Sequence, residues 1–168
     1  MLSVKTLDMR AIAAVVLALA VGACSQPDGP VPAPDEAAQN EIGDVSRDIQ
    51  GVLRKNLDSP KDLIDDLAGF SPLEESEAAT RDFGSRLADV LPGRTMSEPD
   101  TERLANTLWV ALSARELSEK QMESLRDDVQ SMLLAAGVPQ ADAESVVAQL
   151  GEAQKVITIR QKRWYEFF

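Results

Sequence analysis

Histidine is absent from this chain, cysteine occurs once, and aromatic residues make up only 4% of it. Each shortage removes a class of function. The usual zinc, copper and haem sites lose their main ligands. Neither a Ser–His–Asp nor a Cys–His catalytic set can be assembled within the chain. One thiol permits no internal disulfide. Cations are outnumbered too, with 17 Lys and Arg against 28 Asp and Glu, for a net charge of −11. Phosphate backbones are bound by clustered cations, so nucleic acid is not an expected partner. The same balance makes lying flat on an anionic membrane unfavourable for most of the surface. No cofactor is expected from this set of residues.

The first 24 residues are the most specific part of the sequence. Lys5 and Arg10 form a positive start, with Asp8 between them. Ala11 to Ala20 is uninterrupted and apolar, and Gly22 and Ala23 are the small residues that a signal peptidase requires. The apolar run to Ala23 is shorter than the roughly 20 residues needed to cross a bilayer. Val21-Gly22-Ala23-Cys24 resembles the lipobox of bacterial lipoproteins, and Cys24 is the only cysteine. That resemblance implies cleavage between Ala23 and Cys24, a diacylglycerol on the thiol, and a protein held to the membrane through its N-terminal lipid. Ser25 occupies the position where Asp favours inner-membrane retention in enteric lipoproteins. The implied location is the cell envelope, at the outer membrane and facing the periplasm. Loss of residues 1–23 removes Lys5, Arg10 and Asp8, which takes the net charge from −11 to −12.

The sequence divides into a signal peptide over 1–23, a lipidated cysteine with a Pro-rich linker over 24–36, and a helical domain over 37–168. Residues 25–36 hold four of the nine prolines, which favours extended polyproline geometry over helix. At about 3.1 Å per residue, such a linker reaches some 35 Å from the lipid.

Beyond the linker the apolar period is helical throughout. Ala38, Ile42, Val45, Ile49, Val52 and Leu53 mark a first helix over Ala37 to Leu57. Ser59-Pro60-Lys61-Asp62 reads as a helix start, with Leu63, Ile64 and Leu67 before a stop at Gly69. Ser71-Pro72-Leu73-Glu74 reads as a capping box. It leads into Leu73, Phe83, Leu87, Val90 and Leu91, and Pro92-Gly93 ends the segment. Ser97-Glu98-Pro99-Asp100 opens a helix with Leu104, Leu108, Ala111 and Leu112 on one face. Ser118-Glu119-Lys120-Gln121 is another capping box, before Met122, Leu125, Val129, Met132, Leu133 and Ala136, with a stop at Gly137. A last helix runs from Gln140 through Val146, Val147, Leu150, Ala153 and Ile157. Val156 to Ile159 is β-branched, but no second strand-like run exists to pair with it. The expected fold is all-α, an antiparallel bundle of five to six helices after the signal peptide and linker.

Few features suggest chemistry. Asp65-Asp66, Glu74-Glu75 and Asp127-Asp128 are adjacent on helices, where neighbours diverge by about 100°, so they read as a solvated acidic face and not as chelates. Glu144-Ser145 is similar to the first two residues of the lytic transglycosylase motif. That family continues into Gly-Leu-Met-Gln, where this chain has Val146-Val147-Ala148-Gln149. Leu117-Ser118-Glu119-Lys120-Gln121 resembles the Leu-Thr-x-x-Gln motif of periplasmic helical stress chaperones, but it equally forms a helix start. The C-terminal stretch is compositionally unusual. Trp164, Tyr165, Phe167 and Phe168 are four of the seven aromatics. Lys155, Arg160, Lys162 and Arg163 precede them with no acid between Lys155 and Arg163. Such a segment suits an interaction patch at a protein or membrane interface, or a cap that folds back on the bundle.

These features lead to the expectation of a non-enzymatic, lipid-anchored helical protein that acts through an envelope protein partner or as a structural component. A periplasmic chaperone or stress-sensing module is the alternative. A cell-wall enzyme using carboxylates alone is the third reading.

Overall fold

Among the described residues six helices follow one another: α1 (Glu36–Leu53), α2 (Ser59–Gly69), α3 (Glu74–Val90), α4 (Glu98–Leu112), α5 (Glu119–Ala135) and α6 (Gln140–Tyr165). They are seen in a computed structural model that describes residues 33–55, 58–71, 73–113 and 116–165, with side chains described through Thr158. No strand occurs among the described residues, so the architecture is the expected all-α bundle. The β-branched run at Val156 to Ile159 is helical, because the burial of Ala153 and Ile157 along α6 outweighs local propensity.

Local chemistry sets most of the helix ends. Asp35 caps α1 by accepting the Ala38 N–H at 2.9 Å, so the helix begins one residue before the expected boundary. It stops at Leu53, short of the expected Leu57, and Lys55 then turns into the left-handed region at φ 58. Ser97 accepts the Asp100 N–H at the start of α4. Ser118 and Gln121 form the reciprocal box at α5, at 3.2 and 2.8 Å.

Two expected starts are built differently. Ser59 is not a cap but the buried first residue of α2. Asp58 already has helical φ and ψ, so its carbonyl takes the Lys61 and Asp62 N–H groups and its side chain caps nothing. At α3, Leu73 holds the cap position, two residues past Ser71. Ser76 gives both its N–H and its hydroxyl to the Leu73 carbonyl and is bonded to the Ser71 hydroxyl. The capping box read at Ser71 is therefore replaced by a serine pair.

Two glycines shape the packing of the helices. At the end of α5, Gly137 has φ +86 and sends its N–H to the Leu134 carbonyl, while Val138 sends its own to Leu133. This is a Schellman stop, and burial of Val138 and Leu133 supplies its usual apolar contact. On α3, a Cβ at Gly84 would lie 3.3 Å from the Ile64 Cα. The missing side chain lets α2 and α3 close on each other.

The main packing pairs are α3 with α6 and α2, α1 with α4 and α2, and α5 with α6 and α4. α4 lies at the centre. Thr101, Leu104, Ala105 and every residue from Thr107 to Leu112 are buried on it, so its second half is buried all round and not only on the expected stripe. Its buried polar junction with α1 is saturated. The Thr101 hydroxyl donates to the Glu98 carbonyl at 2.8 Å, so it must accept both from Gln50 at 3.0 Å and from Ser46 at 3.1 Å. One donor and two acceptors are all that a hydroxyl offers.

Candidate functional site

The position of charge separates three regions of the surface. The first is the seam between α1 and α2. Asp48 on α1 faces Asp66 on α2, with Asp62 close by. Burial, and then the charge of Asp66 and a hydrogen bond shared with it, push the Asp48 carboxyl up to about 7 against the pull of Arg47. One Asp48 oxygen, Oδ2, is buried with no neutral donor beside it. The pair can therefore hold one proton between two carboxylates near neutrality. Sequence reasoning does not find this pair. Its members sit on different helices, and only helix register brings them together. Asp65, the neighbour of Asp66 in sequence, points elsewhere, and the Arg81 guanidinium bonded to it holds its carboxyl below the usual range. Among the described residues no three acidic side chains converge as a cation site would need.

The second region is a small groove of about 180 Å³ beside the start of α4. Thr95, Met96, Asp100 and Arg103 form one wall, and Ser131, Met132, Ala135 and Ala136 form the other. The Thr95 N–H donates to the Ala136 carbonyl at 3.4 Å and ties the two walls together. Arg103 reaches Asp128 at 4.0 Å. Asp48 and Asp66 do not line the groove, so the shared proton and the groove are separate features.

The third region is α6. Arg86 of α3 donates to Asp142 at 2.8 Å and to Ser145 at 2.9 Å, which locks the start of α6 to α3. Ser145 is thereby engaged in a helix clasp. Further along, Gln154 is 2% exposed, and neither its amide nitrogen nor its oxygen has a partner among the described residues. The helix continues through Arg160, Lys162, Arg163 and Trp164 to Tyr165, but the side chains of these residues lie outside those described. Phe167 and Phe168 lie outside altogether, as do Ala23 and Cys24. No helix among the described residues is long and apolar enough to cross a membrane. Comparison with protein-family models, with characterised proteins and with solved structures yields no match to this chain.

Proposed function

We propose that this chain is a non-enzymatic, lipid-anchored protein of the bacterial cell envelope. It is tethered at Cys24, faces the periplasm from the outer membrane, and acts through an envelope protein partner or as a structural component. The observation that carries this reading is the sequence from Lys5 to Cys24, a basic start, an apolar run and small residues ending on the sole cysteine. The first described helix starts at Glu36 behind its cap Asp35, and in the sequence the Pro-rich residues 25–34 stand between Cys24 and that cap. Two or three acyl chains, at about 0.8 kcal/mol per buried CH₂, would hold such a protein stably.

The chaperone alternative draws less support. Its motif residues Ser118 and Gln121 are used in closing a helix start. Leu134, 42% exposed, is the only large apolar side chain open to water among the described residues, and client binding needs a broad apolar face. The test of the anchor is Cys24→Ser expressed in a bacterial envelope. The variant should accumulate as the uncleaved precursor and take up no labelled fatty acid. Normal cleavage and acylation of that variant would refute the proposal.

A further inference from the structure

α5 and α6 meet along a seam that is rich in donors and short of acceptors. Two contacts fix its register. A Cβ on Gly151 of α6 would lie 3.4 Å from the Arg126 guanidinium of α5. The Thr158 hydroxyl of α6 lies 3.9 Å from the Met122 sulfur of α5. Gln154 follows Gly151 by three residues and precedes Thr158 by four, so it shares their face of α6. It therefore stands opposite the turn of α5 from Met122 to Arg126.

Each donor in the seam can be followed. The Thr158 hydroxyl gives its proton to the Gln154 carbonyl at 2.8 Å, so it only touches the sulfur. The Gln154 side chain is 2% exposed, and its amide nitrogen and oxygen are both unpaired among the described residues. Arg126 forms no ion pair or hydrogen bond among the described residues. It lies one turn after Met122 on α5, so the two side chains reach the same part of the seam. No residue from Glu119 to Asp128 is buried, which leaves this half of α5 open to small solutes, and Met122 is partly exposed. A thioether sulfur is a weak acceptor, whereas its sulfoxide presents a polar oxygen.

We infer that Met122 is a modification site, a thioether whose oxidation to the sulfoxide by a hydroperoxide tightens the seam between α5 and α6. The O–O bond of the peroxide breaks, one oxygen joins the sulfur, and the other leaves as water or an alcohol. The sulfur gives up two electrons and the peroxide takes them. The new oxygen accepts from the Gln154 amide and the Arg126 guanidinium. Oxidation of a methionine ordinarily disrupts a core, because it places a polar group among apolar ones. At Met122 the oxygen arrives where donors stand unpaired, and the sign reverses. Met96 and Met132 line the groove beside α4, where Arg103 already reaches Asp128, so their oxidation carries the ordinary penalty.

The test uses the chain from residue 24 with Cys24→Ser, Met96→Leu and Met132→Leu. This parent protein keeps the whole core from Ala38 to Ile157 and leaves Met122 as the one thioether in the helical domain. Leu in place of Met nearly conserves volume. Hydrogen peroxide should add one oxygen to Met122 in the folded protein, read by peptide mass. The melting temperature should then rise by about 3 °C, the effect of a modest hydrogen bond gained. Methionine sulfoxide reductases for both epimers should return it to its starting value. In a Gln154→Leu background the same oxidation should lower the melting temperature by about 3 °C, since the oxygen then faces an apolar side chain. A Met122→Leu protein should not respond to peroxide. A parent protein that melts no higher once oxidised would overturn the inference. So would equal shifts in the two backgrounds, or a Met122 that takes up oxygen only when the protein is unfolded.

Discussion

α4 and α5 run side by side, are joined end to end, and differ by only two residues in length, 15 against 17. Nine residues of α4 are buried and three of α5. α4 sits inside the bundle and meets water through its first half, from Glu98 to Asn106. α5 shows one stripe to the core and the rest to solvent. The contrast locates stability and adaptability in different helices. A fully buried Leu contributes roughly 2–3 kcal/mol through removal of apolar surface from water, and α4 concentrates such residues. The edges hold most of the charges, among them the neighbouring Asp48 and Asp66.

The sharpest test of this contrast places the same charge on each helix. Leu108→Asp puts a carboxylate into the centre with no partner, and it should destabilise the fold by at least about 4 kcal/mol or prevent folding. Leu134→Asp, on the exposed side of α5, should cost less than about 1 kcal/mol, mostly through an acid placed near a helix C-terminus. Chemical denaturation of both variants gives the comparison directly. Equal losses would mean that α4 is not the centre of the bundle.

Much of this arrangement is legible in the chain. The stripes of α1 and α4, the helix start at Ser97 and the capping box at Ser118 are local patterns, and they form as local patterns should. The run from Leu108 to Leu112, apolar at every step, already signals burial on more than one face. Ser59 and Ser71 mislead because a cap depends on the direction from which the chain enters the helix, and the preceding turns set that direction. The pair Asp48–Asp66 is invisible in the sequence for a different reason, since it exists only once α1 and α2 are in register. Gln154 does leave a signal. It lies four residues after Leu150 and three before Ile157, in phase with the buried stripe.

That signal yields a prediction of intermediate size. Gln154 is a core position filled by an amide whose donor and acceptor are both unpaired among the described residues. A buried polar group left without a bond costs about 1–3 kcal/mol, whereas an apolar group of similar shape costs nothing comparable. Gln154→Leu should therefore stabilise the protein by about 2 kcal/mol, seen as a higher denaturation midpoint with an unchanged denaturant slope. A loss of stability would mean that the amide is bonded within the fold, and that α6 is as well satisfied as the Thr101 junction of α4.

The smallest effect should come from the charged edge, and its sign depends on pH. The Asp48 carboxyl is raised from 3.8 to about 7 in the folded protein by burial and by Asp66. The folded state therefore keeps a proton that the unfolded chain gives up earlier. The stabilising contribution of that proton is complete below about pH 4 and is lost as the pH rises through about 7. A fully buried carboxyl would pay the whole shift at about 1.4 kcal/mol per unit. Asp48 is only half-buried, and screening by water should reduce the effect to about 1 kcal/mol. Asp48→Asn removes the titrating group while keeping its shape, and its amide can donate to Asp66 at any pH. The variant and the parent should be equally stable at pH 4, and the variant about 1 kcal/mol more stable at pH 8. Any change in apolar packing caused by the substitution would shift both measurements equally, so the difference between the two pH values isolates the carboxyl pair. A constant gap across that range would show that the two acids do not share a proton. The seam between α1 and α2 would then be as neutral in its energetics as the core around α4.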